Sequence, residues 1–202
     1  MNKVRLFINK VLHLFELRRI KTSQKVIYLT FDDGPEGEIT DFVLEQLRGY
    51  NAKATFFCKG ENAQINESQF LRLLSDGHSI GNHTFSHINS FNTDTNEYVR
   101  DVNKADSVLH SHLFRPPWGS LTLMAFLRLS LKYRIVYWSL ISGDTYGKKL
   151  DLEKNMRDLC KRTRPGDIVL FHSCKIHENE TRQILPLYLA WLKENNYKCE
   201  SL

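Results

Sequence analysis

The stretch Val26-Ile27-Tyr28-Leu29-Thr30-Phe31-Asp32-Asp33-Gly34-Pro35 decides how this chain is read. Its apolar, β-branched and aromatic residues describe a strand over Val26–Asp33, and Gly34-Pro35 ends it with turn chemistry. Two carboxylates therefore stand together at a strand end. Side chains alternate along a strand, so Asp32 and Asp33 serve one site only if the chain bends there, and Gly-Pro supplies a bend. One carboxylate can then ligate a metal while its neighbour acts as a base beside the same ion.

A second fragment, Asn82-His83-Thr84-Phe85-Ser86-His87, adds two imidazoles four residues apart. They share a face if that stretch is a helical turn. Two imidazoles and one carboxylate leave metal positions open for water and substrate, which is the pattern of a catalytic rather than a structural site. Either fragment alone is ordinary: Asp-Asp-Gly-Pro ends many strands, and paired histidines often lie on a surface. Together they point to metal-assisted hydrolysis.

The elements around them alternate. Strand-like runs fall at Val26–Asp33, Ala54–Lys59, Ser79–His83, Leu113–Pro116, Ile135–Leu140, Asp167–His172 and Tyr197–Leu202. Between them lie helical patterns at Ile39–Tyr50, Ser68–Ser75, Tyr98–His110, Leu123–Tyr133 and Leu152–Arg162, and Pro186 sits early in a last one. Such alternation implies parallel strands with right-handed crossovers. The expected architecture is α/β, an incomplete or distorted (β/α) barrel of about seven parallel strands, with the candidate residues at the C-terminal strand ends where barrel sites are built.

Three further fragments follow in order: Phe114-Arg115-Pro116-Pro117-Trp118-Gly119, Trp138-Ser139-Leu140-Ile141-Ser142-Gly143-Asp144 and Ile168-Val169-Leu170-Phe171-His172-Ser173. With the first two, this set resembles the polysaccharide deacetylase superfamily, carbohydrate esterase family four, across roughly residues 26 to 202. The resemblance implies that Asp32 is the general base, that Asp33, His83 and His87 hold the metal, and that Arg115 pairs with Asp32 and orients it. It further implies a Trp118 backbone N–H donating to the oxyanion, His172 as general acid, and Asp144 holding that histidine protonated. Leu170, Pro116, Trp138 and Tyr146 are expected to border the substrate pocket, Leu170 beside the acetyl methyl. The fourth fragment departs from the family pattern, because Ile141 stands where many relatives carry Asp and Thr145 where they carry Trp.

The chemistry explains why such a set is needed. An amide is a poor electrophile with a poor leaving group, so a metal polarises the carbonyl, a base takes the proton of water and an acid protonates the departing amine. Zinc suits two imidazoles and a carboxylate, and cobalt, nickel or iron fit as well. The implied substrate is an acetylated saccharide, N-acetyl before O-acetyl. Two alternatives stay open: hydrolysis of a cyclic amide or ureide on the same fold, and a catalytically silent carbohydrate-binding protein.

Length and charge bound the rest. The 202 residues read as one catalytic domain over 23–202 preceded by a basic amphipathic segment, 1–22. The excess of 28 basic over 23 acidic residues is mild and forms no aromatic-interleaved stripe, so nucleic acid is not an expected partner. Four cysteines, Cys58, Cys160, Cys174 and Cys199, show no framework spacing. His78, His110, His112 and His177 read as surface or loop residues, and Trp191 as core packing. Val4, Phe7, Ile8, Val11, Leu12 and Phe15 recur at helical spacing, but Lys10, His13 and Glu16 interrupt any secretory core. That segment is expected to pack on the domain or to lie on an anionic membrane, which makes the chain cytoplasmic, with peripheral contact at the inner membrane face as the variant.

Overall fold

The computed structural model describes residues 16–202. The amphipathic pattern from Val4 to Phe15 lies outside the described residues. No helix among the described residues is long and apolar enough to cross a membrane.

The sheet strands, in chain order, are β1 (Glu16–Leu17), β2 (Val26–Asp33), β3 (Ala54–Cys58), β4 (Ser79–Asn82), β5 (Leu113–Phe114), β6 (Arg134–Val136), β7 (Leu140–Ile141), β8 (Ile168–His172) and β9 (Lys198–Cys199). The helices are α1 (Gly37–Gly49), α2 (Gly60–Ile65), α3 (Glu67–Ser75), α4 (Thr95–Leu109), α5 (Leu123–Leu129), α6 (Leu152–Arg162) and α7 (Glu178–Glu194). The spatial order is β1-β6-β5-β4-β3-β2-β8-β7, with β9 on β2, and every ladder is parallel. This is the curled, incomplete barrel the alternation predicts, with helices around it.

β2 is central because its alternation serves two layers. Ile27, Leu29 and Phe31 face the helices, where Phe31 lies between Phe56 at 5.1 Å and Phe171 at 5.5 Å, in one core with Val43, Leu44, Ile184 and Leu185. Tyr28 belongs to the inner cluster of Phe57, Leu113, Val136 and Ile168. Thr30 and Asp32, on that same inner face, are buried too. The inward face of β2 is therefore apolar at its start and polar at its end, which puts the reactive groups at one mouth of the barrel.

Two elements differ from the sequence reading. The run expected as a single strand over Ile135–Leu140 is broken into β6 and β7, because the chain there crosses the gap in the barrel. Tyr137 N–H donates to Leu17 O at 2.8 Å and Ser139 N–H to Ile168 O at 3.0 Å, so each residue follows a different neighbour. The opposite end of the gap is filled by residues assigned from sequence to the N-terminal segment. Glu16 and Leu17 pair with Ile135 and Val136, Arg19 bridges antiparallel to Asp167 and forms an ion pair with it, and Ile20 N–H donates to Gly166 O. Pro186 sits well inside α7 rather than near its start.

Candidate active site

Asp32 and Asp33 reach the same cavity because the backbone turns at Asp33 itself, where φ is +75°. That left-handed residue rotates the second carboxylate off the helix-facing side of β2. The bend is held in place: Asn62 Nδ2 donates to Asp33 O at 2.9 Å, and Ser173 N–H donates to Asp32 O at 2.9 Å. Gly34 is required here because a β-carbon would collide with the Ser173 hydroxyl.

The histidine fragment converges by a different route from the helical turn expected of its spacing. Residues 83–89 form an irregular loop in which Thr84 has φ +65° and His87 φ +58°. The loop is tied down by Asp101 of α4, whose carboxylate accepts from Phe85 N–H at 2.7 Å, Ser86 N–H at 3.1 Å and Ser86 Oγ at 2.9 Å. Asn82 Oδ1 accepts from Thr84 N–H at 2.9 Å. Thus a carboxylate on a distant helix replaces the hydrogen bonds a helix would have made.

The outcome is a three-residue cluster. One donor atom from each of Asp33, His83 and His87 lies within 4.8 Å of the others. His83 Nε2 is 3.7 Å and His87 Nε2 3.1 Å from Asp33 Oδ1. His83 Nδ1 is 2.7 Å from the Arg115 carbonyl, which can only accept, so the ring proton sits on Nδ1 and the Nε2 lone pair faces the cavity. Burial lowers the pKa of His83, favouring the neutral ligating form. Asp33 Oδ1 is buried with no hydrogen-bond partner. An orphaned carboxylate oxygen opposite imidazole lone pairs fits a divalent cation.

Behind the cluster lie two ion pairs. Arg115, fully buried, places Nη1 2.6 Å from Asp32 Oδ1 and 2.8 Å from Thr30 Oγ1, with Nη2 donating to Tyr137 O at 3.0 Å and the guanidinium 4.0 Å from the Phe57 ring centre. His172 is the β8 neighbour of Asp32 in register. Its Nδ1 is 3.2 Å from both oxygens of buried Asp144, so its Nε2 is the nitrogen left for the cavity. Burial works against the imidazolium, but the hydrogen-bonded Asp144 charge, aided by Asp32 and Asp33, outweighs it and raises His172 to about 9.

Asp32, Asp33, His83, His87 and His172 share a cavity of about 470 Å³, with Arg115 and Asp144 behind its wall. Of the expected wall residues, Leu170 and Trp138 line it, as does Trp118; Pro116 does not, and Tyr146 lines a neighbouring hollow with Ile141 instead. Trp118, at φ +62°, sets its ring 5.1 Å from that of His87, and Trp138 packs where a β-carbon on Gly119 would lie. Thr145 itself lines the cavity.

Glu36, Lys59, Ile176 and His177, which carried no site signal in the sequence, also line the cavity, and so does Cys174, whose place two residues after His172 left approach to the site as the alternative to a plain loop thiol. His177, expected as a surface or loop residue, lies on the short turn Lys175–His177 after β8 and has its ring 4.8 Å from that of His172. His78 is not a surface residue: it is buried, its Nδ1 accepts from Ala54 N–H, and burial lowers its pKa to about 4. All four cysteines are free thiols.

Known proteins share this arrangement of elements. The family model described as polysaccharide deacetylase matches residues 19–133. Two peptidoglycan-N-acetylglucosamine deacetylases of Bacillus cereus are 32% and 36% identical, over 89% and 73% of this chain. The chain spans 87% of the first relative's length and 55% of the second's. A solved peptidoglycan N-acetylglucosamine deacetylase in complex with 4-naphthalen-1-yl-N-oxidanyl-benzamide superposes with a TM-score of 0.86 at 28% identity, covering 93% of this chain and 91% of that one. With a matching model over more than half of its length, the chain belongs to the polysaccharide deacetylase family.

Proposed function

We propose that this chain hydrolyses the acetamido group of an N-acetylated saccharide, releasing acetate and a free amino sugar. The observation that carries this reading is an acid and a base on adjacent strands, Asp32 held by Arg115 and His172 held by Asp144, sharing a cavity with three residues that could hold a metal. The names of the relatives support the same substrate class.

A divalent ion, zinc first by the donor set, held by Asp33, His83 and His87, would act as a Lewis acid toward the acetyl carbonyl and acidify water. Asp32 takes the proton of the attacking water. Arg115 fixes the Asp32 carboxylate through Oδ1, which leaves Oδ2 for that proton. The Trp118 backbone N–H donates to the developing oxyanion, a contribution of about 3 kcal/mol for one such donor. His172 then delivers the Nε2 proton to the leaving nitrogen, and Asp144 sustains the imidazolium until it does. Leu170 and Trp138 supply apolar wall for the acetyl methyl.

A silent carbohydrate-binding protein would need neither a clamped base nor a histidine whose charge is sustained by a buried carboxylate. The deciding experiment measures acetate release from chito-oligosaccharides, peptidoglycan fragments, acetylated xylan and nucleotide-linked N-acetylhexosamines, with chelated and with zinc- or cobalt-reloaded protein. Metal-dependent release that Asp32→Asn abolishes, while its metal content stays that of the parent, supports the reading. His83→Ala should lose the metal itself. Silence across the panel with metal bound would move the assignment to ring opening of cyclic amides or to binding alone.

A further inference from the structure

We propose that His177 is a substrate-positioning residue, holding a hydroxyl of the sugar that carries the leaving nitrogen against His172. This rests on the deacetylase reading above and adds to it a residue outside the five family fragments.

Geometry comes first. His177 lines the same cavity as His172, and the two rings lie 4.8 Å apart with their planes tilted by 56°. The departing nitrogen must pass within hydrogen-bond reach of His172 Nε2, so the sugar bearing that nitrogen lies over this side of the cavity. The hydroxyls flanking an acetamido group are then the nearest polar atoms available to His177. Trp138 and Leu170 add apolar wall to the same cavity, and that wall suits the methyl instead.

His177 is also fixed in place. Its N–H donates to Cys174 O at 3.2 Å, and the start of its turn is anchored where Lys175 N–H donates to Glu36 Oε2 at 3.1 Å. The residue caps the N-terminus of α7, so the backbone below it is helical at once. Binding then need not order the turn that carries the ring, which favours use of its hydrogen bonds for recognition.

Chemistry agrees with position. Burial lowers the pKa of His177 and the neighbouring His172 charge adds to this, while the charges of Asp144, Asp33 and Glu180 act against it. Neutral at neutral pH, the ring offers one donor and one acceptor, the pairing a hydroxyl needs. His172 is charged under the same conditions, so the two rings divide the work: one carries the proton and the other holds the sugar.

The test uses His177→Phe and His177→Asn in the metal-loaded full chain, on whichever saccharide of the panel has the highest kcat/KM. Phenylalanine keeps a ring against His172 but removes both hydrogen bonds; asparagine keeps a donor and an acceptor. KM should rise about tenfold in the Phe variant with kcat within about twofold, the loss of one net hydrogen bond to substrate, and the Asn variant should recover part of that rise. An unchanged KM, or a fall confined to kcat with the alkaline limb displaced, overturns the assignment while leaving the deacetylase reading intact. Wild-type silence on the whole panel overturns both.

Discussion

On the floor of the cavity Asp32, His83 and His172 are each held by another group of the protein, whereas on the rim side chains project into solvent. Asp32 is held by Arg115, His83 by the Arg115 carbonyl and His172 by Asp144, and all of these except His172 are buried. Around the rim, Trp118 is 69% exposed and Ile176 85%. The difference separates two tasks. Proton transfer needs groups whose charge and orientation are set before substrate arrives, and a buried pair supplies that at the cost of tolerance to change. Recognition of one sugar among many needs only a few hydrogen bonds and some shape, which exposed loops can vary without disturbing the fold.

The comparison is tested most severely at Arg115. It lies across the barrel interior, and its removal leaves the Asp32 carboxylate without its 2.6 Å partner and the Tyr137 carbonyl without its donor. Arg115→Met should lower unfolding stability by about 3–5 kcal/mol, read from the urea midpoint, because it breaks one side of a buried ion pair. Turnover should be lost even where the variant is folded. A loss below about 1 kcal/mol would mean the floor is not held in the way the contacts indicate. Arg115→Lys should not rescue, since one ammonium cannot reach Asp32, Thr30 and the Tyr137 carbonyl together.

Asp144 gives the next effect, and its sign follows from the folded-state shift. His172 is raised to about 9 by Asp144 against the opposing effect of burial. With asparagine there, burial acts with less opposition, so the pKa falls and the protonated acid disappears at lower pH. The alkaline limb of the kcat profile should therefore move from near 9 toward neutrality. Above the new pKa, activity drops about tenfold for each unit of displacement. The same shift has a stability counterpart. His172 stabilises the folded chain most below its unfolded pKa, near 6.5, and that contribution is lost as pH rises through about 9. An alkaline limb that does not move in Asp144→Asn would detach Asp144 from the acid.

How much of this could be read from the sequence follows the same division. The floor was legible wherever a strand end carried it: the β2 pattern brought both aspartates to one strand end, although the bend lies at Asp33 and not at Gly-Pro, and the family resemblance pointed to Arg115, Asp144 and His172. The route by which His83 and His87 converge was not, because a spacing of four reads as helix while the loop is held by Asp101, a contact between residues far apart in sequence. The break at Tyr137–Ser139 was hidden for the same reason, its partners being Leu17 and Ile168. The rim was least legible. Nothing local marks His177 as facing His172, since the turn that aims it is anchored by Glu36, and Tyr146 carried an aromatic signal that the fold turns toward another hollow.

Thr145 offers the smallest and most selective test. It is exposed and lines the cavity that Trp138 also lines, and it stands where the resemblance leads one to expect Trp. A threonine leaves room beside the acyl group, so the wild type should accept a propionyl substrate with only a modest penalty relative to acetyl. Thr145→Trp fills that room from the solvent side without touching the buried pairs, so unfolding stability should stay within about 0.5 kcal/mol. The ratio of kcat/KM for acetyl over propionyl substrates should then rise several-fold, within the 1–3 kcal/mol or so that one methylene is worth in a pocket. A rise would show that the rim sets acyl size while the floor sets rate. An unchanged ratio would place the limit on acyl size at Leu170 and Trp138, deeper in the cavity, and move the boundary between the two regions outward by one residue.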